Sequence, residues 1–247
     1  MISIKSDQEI ELMRRANQIV RDTLNLLEEK IRVGMTTKQL DKIAHDYIIS
    51  QDAIPSFLGY EGYPASVCIS INEEVVHGIP SDRVIQDGDL VSVDCGSIYK
   101  GYNGDAARTY LVGNVSDEKR KLAEVTKQSF FEGIKVLKAG VRLGDLGHAI
   151  QSYAESFGYG VVKKLVGHGI GQDMHEDPEV PNFGRAGHGL RLRANMTIAI
   201  EPMINAGTDD VYMLEDGWTI VTKDGKPSAH YENTVLITED GVEILSL

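Results

Sequence analysis

Between Ser6 and Leu27 apolar residues return at helical spacing, at Ile10, Met13, Ala16, Val20, Leu24 and Leu27. A stripe of that period marks one buried face of a helix. Ser6 and Glu9 stand ahead of it, spaced as a capping box, so the helix is expected to begin there. A second stripe, Leu40, Ile43, Ala44, Tyr47 and Ile48, follows another such pair, Thr36 and Gln39. The period then shortens to two. Leu90-Val91-Ser92-Val93-Asp94 alternates as a strand ending on a carboxylate, and Asp105 to Val112 returns after a turn at Lys100-Gly101. Then the order begins again. Ser116 opens a helical segment running toward Gly140, and Leu146, Ala149, Ile150, Tyr153 and Phe157 form the next helix, stopped by Gly158. Thr197 to Glu201 and His230 to Thr238 read as strands, and Asp240-Gly241 as the turn of a closing hairpin.

The recurrence reaches individual residues. Aligning Gly34 with Gly140 superposes Leu40 on Leu146 and Tyr47 on Tyr153. His77-Gly78-Ile79 returns as His168-Gly169-Ile170, and the Val91–Asp94 strand as Ile198–Glu201. Helices preceding and covering an antiparallel sheet make the expected class α+β. No Pro-, Gly- or Ser-rich linker separates the halves. One catalytic domain over 1–247 is expected, built from halves of about 6–112 and 116–247, with the site between them.

Composition narrows the classes. Hydrophobic residues are 42% and charged residues 25% of 247, as in soluble globular proteins. A net charge of −12 argues against nucleic acid and anionic membranes as partners. The first ten residues turn polar too early for a signal peptide, and no apolar run is long enough to span a bilayer. Cys68 and Cys95 form no spacing pattern, so free thiols in the cytoplasm are expected.

Asp94 and Asp105 should lie roughly opposite across their hairpin, where like charges repel unless a proton or cation lies between them. Glu201 and Glu232 repeat the arrangement. One such residue alone is an ordinary strand-end carboxylate; four at corresponding places point to metal. His168, in Gly167-His168-Gly169-Ile170-Gly171, offers a nitrogen ligand from what reads as a flexible loop. Four carboxylates balance two divalent ions, and oxygen-rich ligation with one imidazole suits Mn, Fe, Co or Zn. Paired metals can lower the pKa of a shared water, which points to hydrolysis.

Those residues sit within longer motifs: Glu74 to Pro80, Val93-Asp94 with Gly104-Asp105, Gly167 to Gly171, Met174 to Pro178, Ile200-Glu201-Pro202 and Asp216 to Thr219. In this order they resemble methionine aminopeptidases, in the compact bacterial form, over almost the whole chain. The resemblance implies the pseudo-twofold pita-bread fold and five metal ligands: Asp94, Asp105, His168, Glu201 and Glu232. Asp105 and Glu232 would bridge two metals, Glu201 would also act as general base, and His77 and His175 would flank the scissile amide. Tyr60, Tyr63, Cys68 and Trp218 would wall a methionine pocket, with Phe57 close by. Met174 stands where the family often has an aromatic residue, which implies a softer wall. The implied substrates are N-terminal Met peptides of nascent chains, cleaved by a monomer. Any docking at the ribosome should avoid the acidic stretch holding Asp209, Asp210, Glu215 and Asp216.

Two rivals remain. A proline-specific aminopeptidase of the same fold usually carries an N-terminal domain, for which nothing ahead of Ser6 leaves room. A non-catalytic peptide-binding relative would be expected to lack ligands that are all present here. His45, His148, His188 and His230 are expected to be structural.

Overall fold

The computed structural model describes residues 2–247. Both capping boxes form. Ser6 Oγ accepts from the Glu9 amide at 3.4 Å while Glu9 Oε2 accepts from the Ser6 amide at 2.7 Å, opening α1 (Asp7–Lys30). Thr36 and Gln39 exchange the same two bonds at 3.2 and 2.9 Å and open α2 (Thr37–Ser50). Each box satisfies amides that have no partner inside the helix, worth about 1 kcal/mol per cap.

Five strands follow: β1 (Ile54–Pro55), β2 (Val67–Ile71), β3 (Glu74–Val76), β4 (Asp89–Tyr99) and β5 (Tyr102–Val112). β4 continues well past Asp94, where the sequence pattern ended it. Then come α3 (Asp117–Ile134) and α4 (Leu143–Glu155). α3 stops short of Gly140 because the amides of Ala139 and Gly140 donate instead to the carbonyls of Thr238 and Leu192, at 3.0 and 2.8 Å. The remaining strands are β6 (Gly160–Val161), β7 (Gly167–Gly169), β8 (Glu176–Val180), β9 (Thr197–Ile200) and β10 (Met203–Asn205). They continue with β11 (Val211–Met213), β12 (Ile220–Thr222), β13 (Ser228–His230), β14 (Glu232–Ile237) and β15 (Val242–Ile244). The strand expected over His230 to Thr238 is therefore two strands. The Tyr231 amide donates to Pro202 at 3.3 Å, and at that point the chain passes from one sheet to another.

The main sheet has nine antiparallel strands in the order β1-β4-β5-β14-β9-β7-β8, with β2 on β4 and β15 on β14. Its two faces differ. Val93, Cys95 and Ala106 pack beneath Ile19, Val20 and Leu24 of α1 and Leu40 and Ile48 of α2. Ile198, Ile200 and Val235 pack beneath Phe130 of α3 and Leu146 and Ile150 of α4. At Gly104 a Cβ would come within 2.6 Å of the Ala16–Asn17 backbone, so α1 seats directly on β5 only because that position is glycine. Helices thus occupy one face. Strand alternation sends Asp94, Asp105, Ala107, Ala199, Glu201 and Glu232 to the other.

Candidate metal centre and substrate cavity

Register assembles the carboxylates. Asp94 of β4 lies opposite Ala107 of β5, and Ala107 lies opposite Glu232 of β14. Asn233 pairs with Ile200, so Glu201, one residue on, falls opposite Glu232. A row therefore crosses four strands, with only a methyl group at Ala107 between Asp94 and Glu232. Asp105 faces Gly96 rather than Asp94, so those two carboxylates are diagonal neighbours on one face, not directly opposed. His168 pairs with Ala199, two residues from Glu201, and joins the same face.

The glycines around His168 have a different role from the one expected. β7 is not a flexible loop but a strand held between β8 and β9. A Cβ at Gly167 would stand 2.3 Å from the Ala199 carbonyl, and one at Gly169 2.2 Å from that of Asp177. Squeezed between neighbours, His168 is fixed in place. Its Nδ1 lies 2.8 Å from the Gly169 carbonyl oxygen, which can only accept, so Nδ1 carries the proton and Nε2 presents a lone pair. That Nε2 is 3.6 Å from Asp105 Oδ2 and 3.7 Å from Glu201 Oε1. Ligand atoms of Asp105, His168 and Glu232 all fall within 4.8 Å of one another.

The electrostatics call for a cation. All four carboxylates line the cavity, Asp105 and Glu232 buried and Asp94 and Glu201 half-buried. Asp94 Oδ1, Asp105 Oδ1 and Glu232 Oε1 are buried with no hydrogen-bond partner. Burial pushes Asp105 up to about 8. Burial and then neighbouring carboxylates raise Asp94, Glu201 and Glu232 above their usual range as well. Buried, unpaired and mutually repelling oxygens beside an imidazole lone pair fit divalent metal.

Above the row lies a cavity of about 150 Å³. Tyr60, Tyr63, Cys68 and Trp218 line it as expected, with Phe57 and also Glu61, which no sequence pattern had marked. Tyr63 meets Trp218 edge-on at 5.1 Å and anchors its hydroxyl on the Gly78 carbonyl at 2.9 Å. The Cys68 thiol is buried, and burial followed by Asp94 raises its pKa, so it stays protonated. Met174 is not a wall of this cavity. It is buried among Ile10, Met13 and Ile170, in a cluster against which Phe57 and Tyr60 pack.

His77, from the first half of the chain, and His175, from the second, both line the cavity. His77 has the left-handed φ of 61°, a conformation costly outside glycine and held here by its neighbours. Next to it, Gly78 is pressed so close to β2 that a Cβ would be 2.2 Å from the Ile69 carbonyl. His175 stands exposed at the mouth, its ring 4.3 Å from that of His168. Desolvation lowers both to about 4, at His175 through the side of its ring packed against Tyr60 and His168, aided at His77 by His175 and at His175 by His168, so both are neutral near pH 7.

His230 departs from expectation. Its Nε2 lies 3.9 Å from Glu201 Oε2 and 3.8 Å from Glu232 Oε2, so the residue borders the site rather than packing away from it. It stands two residues before Glu232, a spacing that on a strand puts both side chains on one face. The others lie elsewhere: His45 Nδ1 meets Ser66 Oγ at 2.9 Å, His148 lies on α4 and His188 in a second cleft.

Comparison with known proteins agrees with this geometry. Residues 11–239 match metallopeptidase family M24. The chain belongs to that family. It is 58% identical to a methionine aminopeptidase of Clostridium acetobutylicum, over 100% of this chain and 99% of the relative. The crystal structure of methionine aminopeptidase from Rickettsia prowazekii superposes with a TM-score of 0.98 at 42% identity, covering 100% of both chains. That from Thermotoga maritima gives 0.98 at 45% identity, covering 100% of this chain and 99% of the other. The fold is the α+β pita-bread arrangement of these neighbours. The chain is a metal-dependent hydrolase, and its family uses divalent metal.

Proposed function

We propose that this chain removes N-terminal methionine from polypeptides whose second residue is small, using two divalent ions held by Asp94, Asp105, His168, Glu201 and Glu232. The observation that carries this reading is the row of unpartnered, buried carboxylate oxygens beneath a small aromatic-walled cavity. Asp105 and Glu232, the most deeply buried of the five, would be the carboxylates with least access to water in place of a cation. Co, Mn, Fe and Zn all suit the donor set. When bound, such ions supply Lewis acidity and a water acidic enough to act as nucleophile near neutral pH.

The chain's own residues do the rest. A cavity of about 150 Å³ suits one side chain rather than a stretch of peptide, and Tyr60, Tyr63, Cys68 and Trp218 give methionine an apolar, polarizable lining. Glu201, which lines the cavity, would take the proton of the attacking water and pass it to the departing amine. His77 and His175, neutral near pH 7, hold the scissile carbonyl and stabilise charge developing on its oxygen.

We place the enzyme in the cytoplasm as a monomer acting on nascent chains. Among the described residues no helix is long and apolar enough to cross a membrane, and both cysteines are free. Asp209 pairs with Lys163 at 2.9 Å and Asp216 caps the Trp218–Thr219 turn, so ribosome docking is assigned to a surface away from this acidic segment.

The test is to assay Met-Ala-Ser against Ala-Pro peptides after chelation and after adding back Mn, Fe, Co or Zn singly. Cleavage of Met-Ala-Ser restored by one or more metals is expected. Preferred cleavage of Ala-Pro would indicate the proline-specific relative, and no cleavage with any metal a binding protein.

A further inference from the structure

The two oxygens of Glu201 face different imidazoles. Oε1 is 3.7 Å from His168 Nε2, on the side where the ligand atoms converge, and Oε2 is 3.9 Å from His230 Nε2. Glu232 likewise turns Oε2 toward His230, at 3.8 Å. His230 is thus at the outer edge of the carboxylate row, opposite the side on which His168 lies. Its ring is 1% exposed, and Nε2 has no partner. Its backbone is locked as well. The His230 amide donates to Thr109 Oγ1 at 3.0 Å and its carbonyl accepts from the same hydroxyl at 2.7 Å, while on the other side it pairs with Met203 of β10.

We propose that His230 is a positioning residue: with its proton on Nε2, it faces the outer oxygens of Glu201 and Glu232 and fixes which oxygen each presents to a cation. This rests on the assignment of both glutamates as ligands. The tautomer follows from the surroundings. With a cation holding both carboxylates ionised, a lone pair at Nε2 would be aimed at two carboxylate oxygens and repelled by both, whereas an N–H is attracted to either. His168 is the mirror case, with its proton on Nδ1 and its lone pair toward the cation side. Neither His230 contact is yet a hydrogen bond, being nearly 1 Å too long. The terminal torsion of a glutamate is broad, so rotation of one carboxylate closes the gap once the inner oxygens are drawn to metal. Outer partners of this kind orient a ligand and raise its affinity for the ion.

Three measurements test this. Metal-free parent, His230→Gln and His230→Leu proteins are titrated calorimetrically with Mn(II). Glutamine retains an N–H at similar reach and leucine does not. Loss of such a partner costs about 10- to 100-fold in metal affinity, so the leucine variant should bind that much more weakly and the glutamine variant within about threefold of the parent. In peptide assays the leucine variant should lose kcat with little change in KM. Equal affinities for parent and leucine variant, or equal loss in both variants, would overturn the role of the N–H. The third measurement needs no leucine variant: a long-range 1H–15N spectrum of Zn-loaded protein, with the His230 signals identified by their absence in His230→Gln. Protonated Nε2 is expected; protonated Nδ1, or Nε2 bound to zinc, would overturn the proposal. Failure of the parent itself to bind any divalent metal would instead defeat the ligand assignment on which it rests.

Discussion

The Tyr60 hydroxyl lies 2.8 Å from His175 Nδ1, which joins the aromatic loop before β2 to the loop before β8. Burial raises the phenol's pKa and lowers the imidazole's, so near pH 7 the neutral phenol donates to Nδ1. The remaining His175 proton then sits on Nε2. Tyr60 is therefore more than a pocket wall. Removing a neutral hydrogen bond costs about 0.5–1.5 kcal/mol, so Tyr60→Phe should lower kcat roughly two- to tenfold. A Tyr60→Phe enzyme with unchanged kcat, measured at saturating Met-Ala-Ser, would show that this bond does not set the tautomer that matters.

His77→Ala and His175→Ala should cost more, because each removes a group assigned to the reacting carbonyl. Loss of one such donor typically lowers kcat by about 10²–10³. Metal content, read by atomic emission on the purified variants, should match the parent. Stoichiometric metal loss in either variant would move that histidine into the ligand set.

Glu201→Gln removes a ligand charge and the proposed base together. A drop in kcat of at least about 10²–10⁴ is expected from the loss of acid–base catalysis alone. His230→Gln, which preserves an N–H, should stay close to the parent. Similar rates for the two variants would contradict the role given to Glu201.

Stability of the metal-free protein should fall as pH rises from 6.5 to 8. Burial holds Asp105 up to about 8 and raises Asp94, Glu201 and Glu232, so the fold keeps protons that an unfolded chain, with Asp at 3.8 and Glu at 4.5, has released. Where the native state binds more protons, stability declines with pH. His77, His175 and His230, lowered to about 4, 4 and 3, act in the opposite sense, but their effect is half gone at the unfolded value of 6.5 and fades within about one pH unit above it, so the carboxylates set the slope in the upper part of the range. Bound cations keep the carboxylates ionised and should flatten the slope. Thermal melts across this range, with EDTA and with Mn(II), make the comparison; a metal-free Tm that rises with pH would run against it.

Peptides beginning Met-Ile-Ser, like the chain's own first residues, should be poor substrates beside Met-Ala-Ser. A β-branched side chain next to the reacting carbonyl overfills a narrow site, at about 1–3 kcal/mol, or roughly ten- to two-hundred-fold in kcat/KM. Met1 itself lies outside the described residues, so the comparison uses free peptides. Equal kcat/KM for the two would remove the small-residue rule.

Local signals were readable in advance and distant ones were not. The boxes at Ser6–Glu9 and Thr36–Gln39 involve neighbours three residues apart, and both formed. The turn at Lys100-Gly101 placed Asp94 and Asp105 roughly opposite; they do share a face, but as diagonal neighbours, because period two orders faces within one strand and not across two. Alternation could not fix the offset, and only the Tyr99–Tyr102 pairing around the turn shows that Asp94 meets Ala107. His230 illustrates a second limit. Its parity matched Glu232, but nothing local reveals that the chain changes sheets at Tyr231 and leaves the ring beside Glu201. The cavity walls, spread from Phe57 to Trp218, were united by family resemblance rather than by any spacing.

The squeezed strand around His168 has a consequence for tolerance to mutation. A saturation scan scored on growth alone should find Gly167 and Gly169 as unforgiving as the histidine between them, because added methyl groups would collide with the carbonyls of Ala199 and Asp177. The three losses would differ in kind. Cells carrying changes at either glycine should be short of soluble enzyme, whereas those altered at His168 should contain ample enzyme that is poor in metal. An intolerant triplet in such a scan would thus be one ligand and two spacers, separable by how much protein survives in the lysate.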